Sequence, residues 1–148
     1  MRLPIQYLPH YDLGAWGELA YAHAGDAGFD LKAAIAAPVF IGFGEVVIVP
    51  AGVAMAVPEG HEVQIRPRSG LAAKLGLTVV NAPGTIDAGY RGEIQVILSC
   101  LKREGAEIRP GDRLAQAVLA PVLRAVLAAV TSLDETARGA GGLGSTGV

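Results

Sequence analysis

Thr78-Val79-Val80-Asn81-Ala82-Pro83-Gly84-Thr85-Ile86-Asp87-Ala88-Gly89-Tyr90-Arg91-Gly92-Glu93-Ile94-Gln95-Val96-Ile97-Leu98 sets two β-branched runs on either side of a glycine-rich turn. Val and Ile suit a pleated, half-buried surface, so 78–80 and 94–98 read as the strands of one hairpin with Asp87 and Tyr90 near its tip. Gly84, Gly89 and Gly92 permit backbone angles that side chains forbid and let a ligand approach the main chain. A lone carboxylate and an aromatic ring on such a turn mark a candidate site. Asp and Gly are also ordinary turn residues, so alone the stretch fits a plain tight hairpin equally well.

Outward from the hairpin the same grammar repeats. Short runs at 45–49, 62–66, 114–119 and 122–130 read as strands, several of them rich in Val and Ile. Breakers separate them: Pro50-Ala51-Gly52, Pro58-Glu59-Gly60, Ala82-Pro83-Gly84, Arg109-Pro110-Gly111 and Pro121. Frequent turns between short strands predict an all-β sandwich or barrel. A helical signal occurs once, with Ser69 placed to cap a short helix through Leu71-Ala72-Ala73-Lys74-Leu75 and Gly76 placed to end it. No internal repeat is present, and only the C-terminal tail is of low complexity.

At 148 residues the chain reads as one domain, long enough to bury its own core at 51% hydrophobic content. Charged residues make up 18% and the net charge is −2, so no broad basic face exists for nucleic acid and any phosphate affinity must be local. The single cysteine, Cys100, ends an apolar run and reads as a buried thiol in a reducing compartment. His10, His23 and His61 lie near no cysteine, so no zinc-type spacing exists. The first ten residues carry Pro4 and Pro9 and lack the apolar region of a signal peptide. The apolar stretch 114–130 is interrupted by Gln116, Pro121 and Arg124 and is too short to cross a bilayer. A soluble cytoplasmic protein without a membrane partner is the expectation. Aromatic content is only 5%, so the core is either small and tightly packed or completed by identical subunits.

Two further stretches suit anions. Arg68-Ser69-Gly70 opens the short helix, where free N–H groups, a guanidinium and a hydroxyl converge, although Ser69 as a cap and Arg68 as a solvated charge explain them as well. Gln116 could be a satisfied strand amide or a phosphate donor. The tail Gly139-Ala140-Gly141-Gly142-Leu143-Gly144-Ser145-Thr146-Gly147 has five glycines in nine residues but lacks the lysine and the strand-to-helix setting of a P-loop.

Five segments occur in order: Ala27-Gly28-Phe29-Asp30-Leu31-Lys32-Ala33-Ala34, then Pro67-Arg68-Ser69-Gly70-Leu71-Ala72-Ala73-Lys74-Leu75-Gly76, the hairpin, Gly111-Asp112-Arg113-Leu114-Ala115-Gln116, and Arg138-Gly139-Ala140-Gly141-Gly142-Leu143-Gly144-Ser145-Thr146-Gly147. Together they resemble the five motifs of the homotrimeric deoxyuridine triphosphatase (dUTP diphosphatase) family, across about residues 27–147. One position departs: Leu143 stands where the family usually has phenylalanine.

The resemblance implies a jelly-roll-like β-sandwich in a homotrimer, with active sites between subunits and a C-terminal arm closing over the nucleotide. It divides the single domain 1–148 into an N-terminal strand region (1–26), a β core (27–131) and a flexible arm (132–148). The implied reaction is hydrolysis of dUTP at its α-phosphorus to dUMP and pyrophosphate, which keeps uracil out of DNA and supplies dUMP for thymidylate synthesis. Asp87 is the candidate general base for the attacking water. Mg²⁺ neutralises the triphosphate, and Asp30 is the candidate to hold the ion through water. Arg68, Ser69, Gly70, Gln116 and Arg138 would bind phosphates. Asn81, Gly84, Thr85, Ile86 and Tyr90 would read uracil and deoxyribose, Leu143 would cover the base, and Gly144 and Ser145 would contact the nucleotide as part of the arm. A leucine covers a base without ring stacking, which elsewhere contributes about 1–3 kcal/mol per base, so a weaker lid is expected. A related branch, dCTP deaminase, uses a glutamate on the strand after the hairpin, and 94–98 has no carboxylate. A purely binding or regulatory role would not require Asp87.

Overall fold

Alternation along the chain decides which way each strand faces, and the computed structural model, which describes residues 1–143, shows eleven strands among them. In chain order the elements are β1 (Ile5–Tyr7), α1 (Leu13–Trp16), β2 (Gly28–Lys32), β3 (Val39–Ile41), β4 (Val46–Pro50), β5 (Val53–Met55) and β6 (His61–Arg66). There follow α2 (Ser69–Leu75), β7 (Leu77–Val79), β8 (Gly84–Asp87), β9 (Gln95–Cys100), β10 (Ala106–Ile108) and β11 (Arg113–Pro121). A four-stranded sheet has the order β2-β11-β6-β8 and a three-stranded one the order β4-β9-β7; β1-β5 and β10-β3 are two-stranded ribbons. All named pairs are antiparallel. Among the described residues no helix is long and apolar enough to cross a membrane.

In β2, Phe29 and Leu31 are buried while Gly28, Asp30 and Lys32 turn outward, and β6 buries Val63 and Ile65 between Glu62, Gln64 and Arg66. The inward sets of all four sheets meet in one core, with Leu31, Ile41, Val49, Val53, Val63, Leu77, Val96, Leu98 and Leu114 essentially dry. Cys100 is part of it, as its apolar run foretold. Removing a side chain such as Leu98 from such a core costs about 2–5 kcal/mol.

Four local expectations are corrected. The hairpin exists as β7 with β9, but its connection is no simple turn: Gly84–Asp87 leaves that sheet and pairs with β6, Glu62 facing Asp87. The excursion stitches the two larger sheets together. Ser69 does not cap α2; Arg68 holds the extended cap position with no side-chain cap bond, and Ser69 is the first helical residue. Gly76 ends the helix as expected, at φ 66° and ψ 18°, a left-handed conformation in which glycine has no steric penalty. A second helical turn, α1, is capped by Asp12, whose carboxylate accepts from Ala15 N–H at 2.9 Å.

The expected strand at 122–130 does not form. From Val122 through residue 143 the chain carries neither strand nor helix, and Leu123, Val126, Leu127 and Val130 are exposed. An isolated strand has no partner for its backbone groups, and these apolar residues find no core within their own chain.

Candidate active site

The outward face of the four-stranded sheet carries the chemistry. Register places Gln116 of β11 opposite Asp30 of β2 on one side and Arg66 of β6 on the other. A bulge between Arg113 and Ala115 lets Leu114 and Ala115 both turn inward, leaving Arg113 and Gln116 outward. Beside them α2 begins, and the first helical bond back is Ala72 N–H to Arg68 O. The N–H groups of the first turn before it have no intrahelical partner.

These residues enclose a pocket of about 340 Å³ lined by Asp30, Arg68, Ser69, Gly70, Arg113 and Gln116, with Ala20, Ala22 and Asp26 as an outer wall. Arg68 Nε lies 2.7 Å from Asp30 Oδ1 and Arg113 Nη1 3.6 Å from Asp30 Oδ2. Gln116 Nε2 donates to Pro67 O at 2.9 Å, which fixes its amide at the pocket edge. Two arginines and two aspartates balance in formal charge, so a polyanion would need a cation to enter. Sequence reading named four of these polar groups but passed over Arg113, which lay within the quoted 111–116 stretch; the bulge that exposes it has no local signal.

A second, smaller pocket of about 270 Å³ is lined by Asn81, Thr85, Ile86, Asp87, Tyr90, Glu93 and Gln95. Tyr90 folds back over the turn, its hydroxyl donating to Glu93 O at 2.9 Å. The ring packs so closely on Gly92 that a Cβ there would collide with its hydroxyl oxygen. Arg91 Nη1 donates to Ala88 O at 2.6 Å and Tyr90 O at 2.8 Å, clasping the tip. Gly84 abuts Asn81, a Cβ there falling 3.1 Å from Asn81 Nδ2. Sequence reading missed Arg91 and Glu93.

The two pockets share no lining residue. From Asp30 to Asp87 the sheet must be crossed by three strand steps, β2-β11-β6-β8, and followed by four residues from the Arg66 row to the Glu62 row. At about 4.8 Å per strand and about 3.3 Å per residue, the two carboxylates are on the order of 20 Å apart along the sheet. Of the tail residues, Arg138 Nε donates to Gly141 O at 2.9 Å within the tail, and Leu143 is fully exposed. Neither lines the two pockets; Gly144, Ser145 and Thr146 lie outside the described residues.

Among the described residues no group of three His, Cys, Asp or Glu side chains could hold a metal. A single carboxylate such as Asp30 suits Mg²⁺, which keeps several waters and takes the rest of its ligands from substrate phosphates.

The class is thus a jelly-roll β-protein with a pocket lined by arginine and aspartate on one part of its outer sheet face and a turn-lined pocket on another. The family signature described as dUTPase matches residues 16–147. A deoxyuridine 5'-triphosphate nucleotidohydrolase of Desulfotalea psychrophila is 57% identical over 129 residues, covering 87% of this chain and 86% of that protein. One from Methylocella silvestris is 52% identical over 150 residues, covering 99% and 92%. The chain belongs to the dUTPase family of enzymes. Its fold matches a Staphylococcus bacteriophage 80alpha dUTPase mutant solved with dUpNHpp, at a TM-score of 0.82, 24% identity and 99% coverage of each chain. A phage phi11 dUTPase mutant described as coordinating a structural Mg(II) ion matches at a TM-score of 0.74 and 24% identity, over 89% of this chain and 98% of that one.

Proposed function

We propose that this protein hydrolyses dUTP to dUMP and pyrophosphate at sites between the subunits of a homotrimer. The observation that carries the reading is the separation of the two half-sites. A general base must lie within about 3 Å of the proton it takes, or one water away. Asp87 is on the order of 20 Å along the sheet from the phosphate pocket of its own chain. Its counterpart is therefore the phosphate pocket of a second copy. The bare apolar tail at 122–130 and the exposed Phe40, Phe43, Val46, Ile48 and Leu101 supply apolar surface for association.

In this reading Arg68, Ser69, Gly70 and Gln116 of one subunit grip the phosphate chain. Arg113 adds a guanidinium to that grip. Mg²⁺, held through water at Asp30, supplies charge neutralisation of the triphosphate when bound. Asp87 of another subunit accepts the proton of the water that attacks the α-phosphorus. Asn81 and the main chain from Gly84 through Ile86 face the uracil edge, where the exocyclic amine of cytosine is mismatched and the methyl of thymine is excluded; a buried polar mismatch discriminates strongly. Tyr90 packs on the sugar and leaves no room for a 2′-hydroxyl. The segment 132–148 serves as the arm, with Arg138 on phosphate, Leu143 over the base, and Gly144 and Ser145 in contact with the nucleotide. A cytoplasmic location fits the unpaired, buried Cys100.

The test is pyrophosphate release by purified protein with Mg²⁺ and dUTP beside dCTP, dTTP and UTP. Release from dUTP alone supports the reaction and its selectivity together. Binding of dUTP without release overturns the hydrolytic reading.

A further inference from the structure

Glu93 lines the hairpin pocket, and its side chain reaches beyond the turn to the loop between β4 and β5 and to the N-terminal segment. Its Oε1 accepts Gly52 N–H at 2.9 Å and lies 2.7 Å from Nε2 of His10. A carboxylate only accepts, so the imidazole nitrogen donates. Gly52 sits between the buried Ala51 and Val53, and its carbonyl accepts Leu8 N–H at 2.8 Å. Ile94, next to Glu93, is fully buried; its N–H donates to Val53 O at 2.8 Å and its carbonyl accepts from Ala51 N–H at 2.9 Å. The carboxylate thus fastens the outgoing stem of the hairpin to the loop between β4 and β5 and to the N-terminal segment. At the same residue the main-chain oxygen takes the Tyr90 hydroxyl at 2.9 Å. One residue therefore ties the ring of the hairpin pocket to a rigid part of the core.

We propose that His10 and Glu93 form a brace that fixes the seat of Tyr90 and thereby sets how strictly the enzyme separates deoxyribonucleotides from ribonucleotides. Both are positioning residues, acting through Tyr90. The inference rests on the reading of Tyr90 as the group that packs on the sugar. An aromatic ring excludes one hydroxyl only if it cannot shift, because a displacement of about 1 Å is enough to degrade a site of this kind. The Tyr90 backbone is held by its N–H to Asp87 O and by Arg91 at its carbonyl, whereas its partly exposed ring is held by contact with Gly92 and by the hydroxyl bond to Glu93 O. Loosening Glu93 frees the acceptor of that bond.

The experiment is steady-state kinetics of the full-length protein and its His10→Ala, Glu93→Gln and Glu93→Ala variants on dUTP and UTP, with Mg²⁺. His10 is on the surface, so its truncation leaves the fold intact; Glu93→Gln keeps an acceptor for Gly52 N–H. The ratio of kcat/KM for dUTP to that for UTP should fall about tenfold in His10→Ala and further in Glu93→Ala, with Glu93→Gln between the unmutated protein and Glu93→Ala. The change should appear mainly in KM for dUTP and in faster UTP turnover. An unchanged ratio in all three variants, or an equal loss of kcat on both nucleotides, overturns the brace. An unmutated protein that does not prefer dUTP to UTP refutes the reading of Tyr90, and the brace with it, before any variant is compared.

Discussion

Asp87 ends β8 opposite Glu62, exposed at the mouth of the hairpin pocket. If it is the general base, Asp87→Asn keeps the size and most hydrogen bonding of the side chain but removes proton acceptance. It should lower kcat by about 10²–10⁴ while the Kd for a non-hydrolysable dUTP analogue changes little. Unchanged kcat would remove Asp87 from that role. Tyr11 gives a second test at this scale. Burial, with a smaller contribution from Tyr7, raises its pKa above the ordinary value of about 10, and its hydroxyl donates to Gly17 O at 2.8 Å. The unfolded chain loses this proton first, so the stabilisation is complete below about pH 10 and declines as pH rises through the folded value. Thermal melts of Tyr11→Phe should show lower stability at pH 8, by about 1 kcal/mol for the lost hydrogen bond, and a shallower decline above pH 10 than the parent. Identical slopes would contradict the assignment.

At the scale of elements, what the sequence disclosed followed from how local each signal was. The β-branched runs at 62–66 and 94–98 and the Gly76 stop depend on near neighbours, and they stand within a residue or two of where they were read. β8 was invisible as a strand because Gly84–Asp87 contains two turn-type residues and pairs with β6, some twenty positions away. Ser69 was misread because the chain turns helical one residue earlier than a side-chain cap there requires, with Arg68 in the half-helical place. α1 has four residues and includes Gly14, too short for periodicity to register; only Asp12 announces it. The run at 122–130 has the composition of a strand but pairs with no strand among the described residues. Deleting residues 138–148 should therefore leave secondary structure and melting temperature almost unchanged, because none of the described residues removed belongs to the core. Hydrolysis of dUTP should fall steeply, and full activity in the truncated protein would refute the arm.

At the scale of the whole molecule, the sequence-stated segments reunite only partly. Asp30, Arg68, Ser69, Gly70 and Gln116 share one pocket, and Asn81, Thr85, Ile86, Asp87 and Tyr90 share another. No sequence pattern could show that a single chain keeps them apart, because that depends on the strand order β2-β11-β6-β8 and not on spacing along the chain. If each site joins halves from two subunits, two differently damaged chains should repair one another. The decisive measurement is dUTP-dependent pyrophosphate release from an assembly of Asp87→Asn chains and Arg68→Ala chains mixed before association. Each variant alone should be nearly inactive, whereas random assembly of an equal mixture should regain roughly a quarter of normal activity over all trimers, since a site needs one intact half from each kind of chain. A mixture as inactive as its parents, with subunit exchange verified by mass, would contradict active sites shared between subunits.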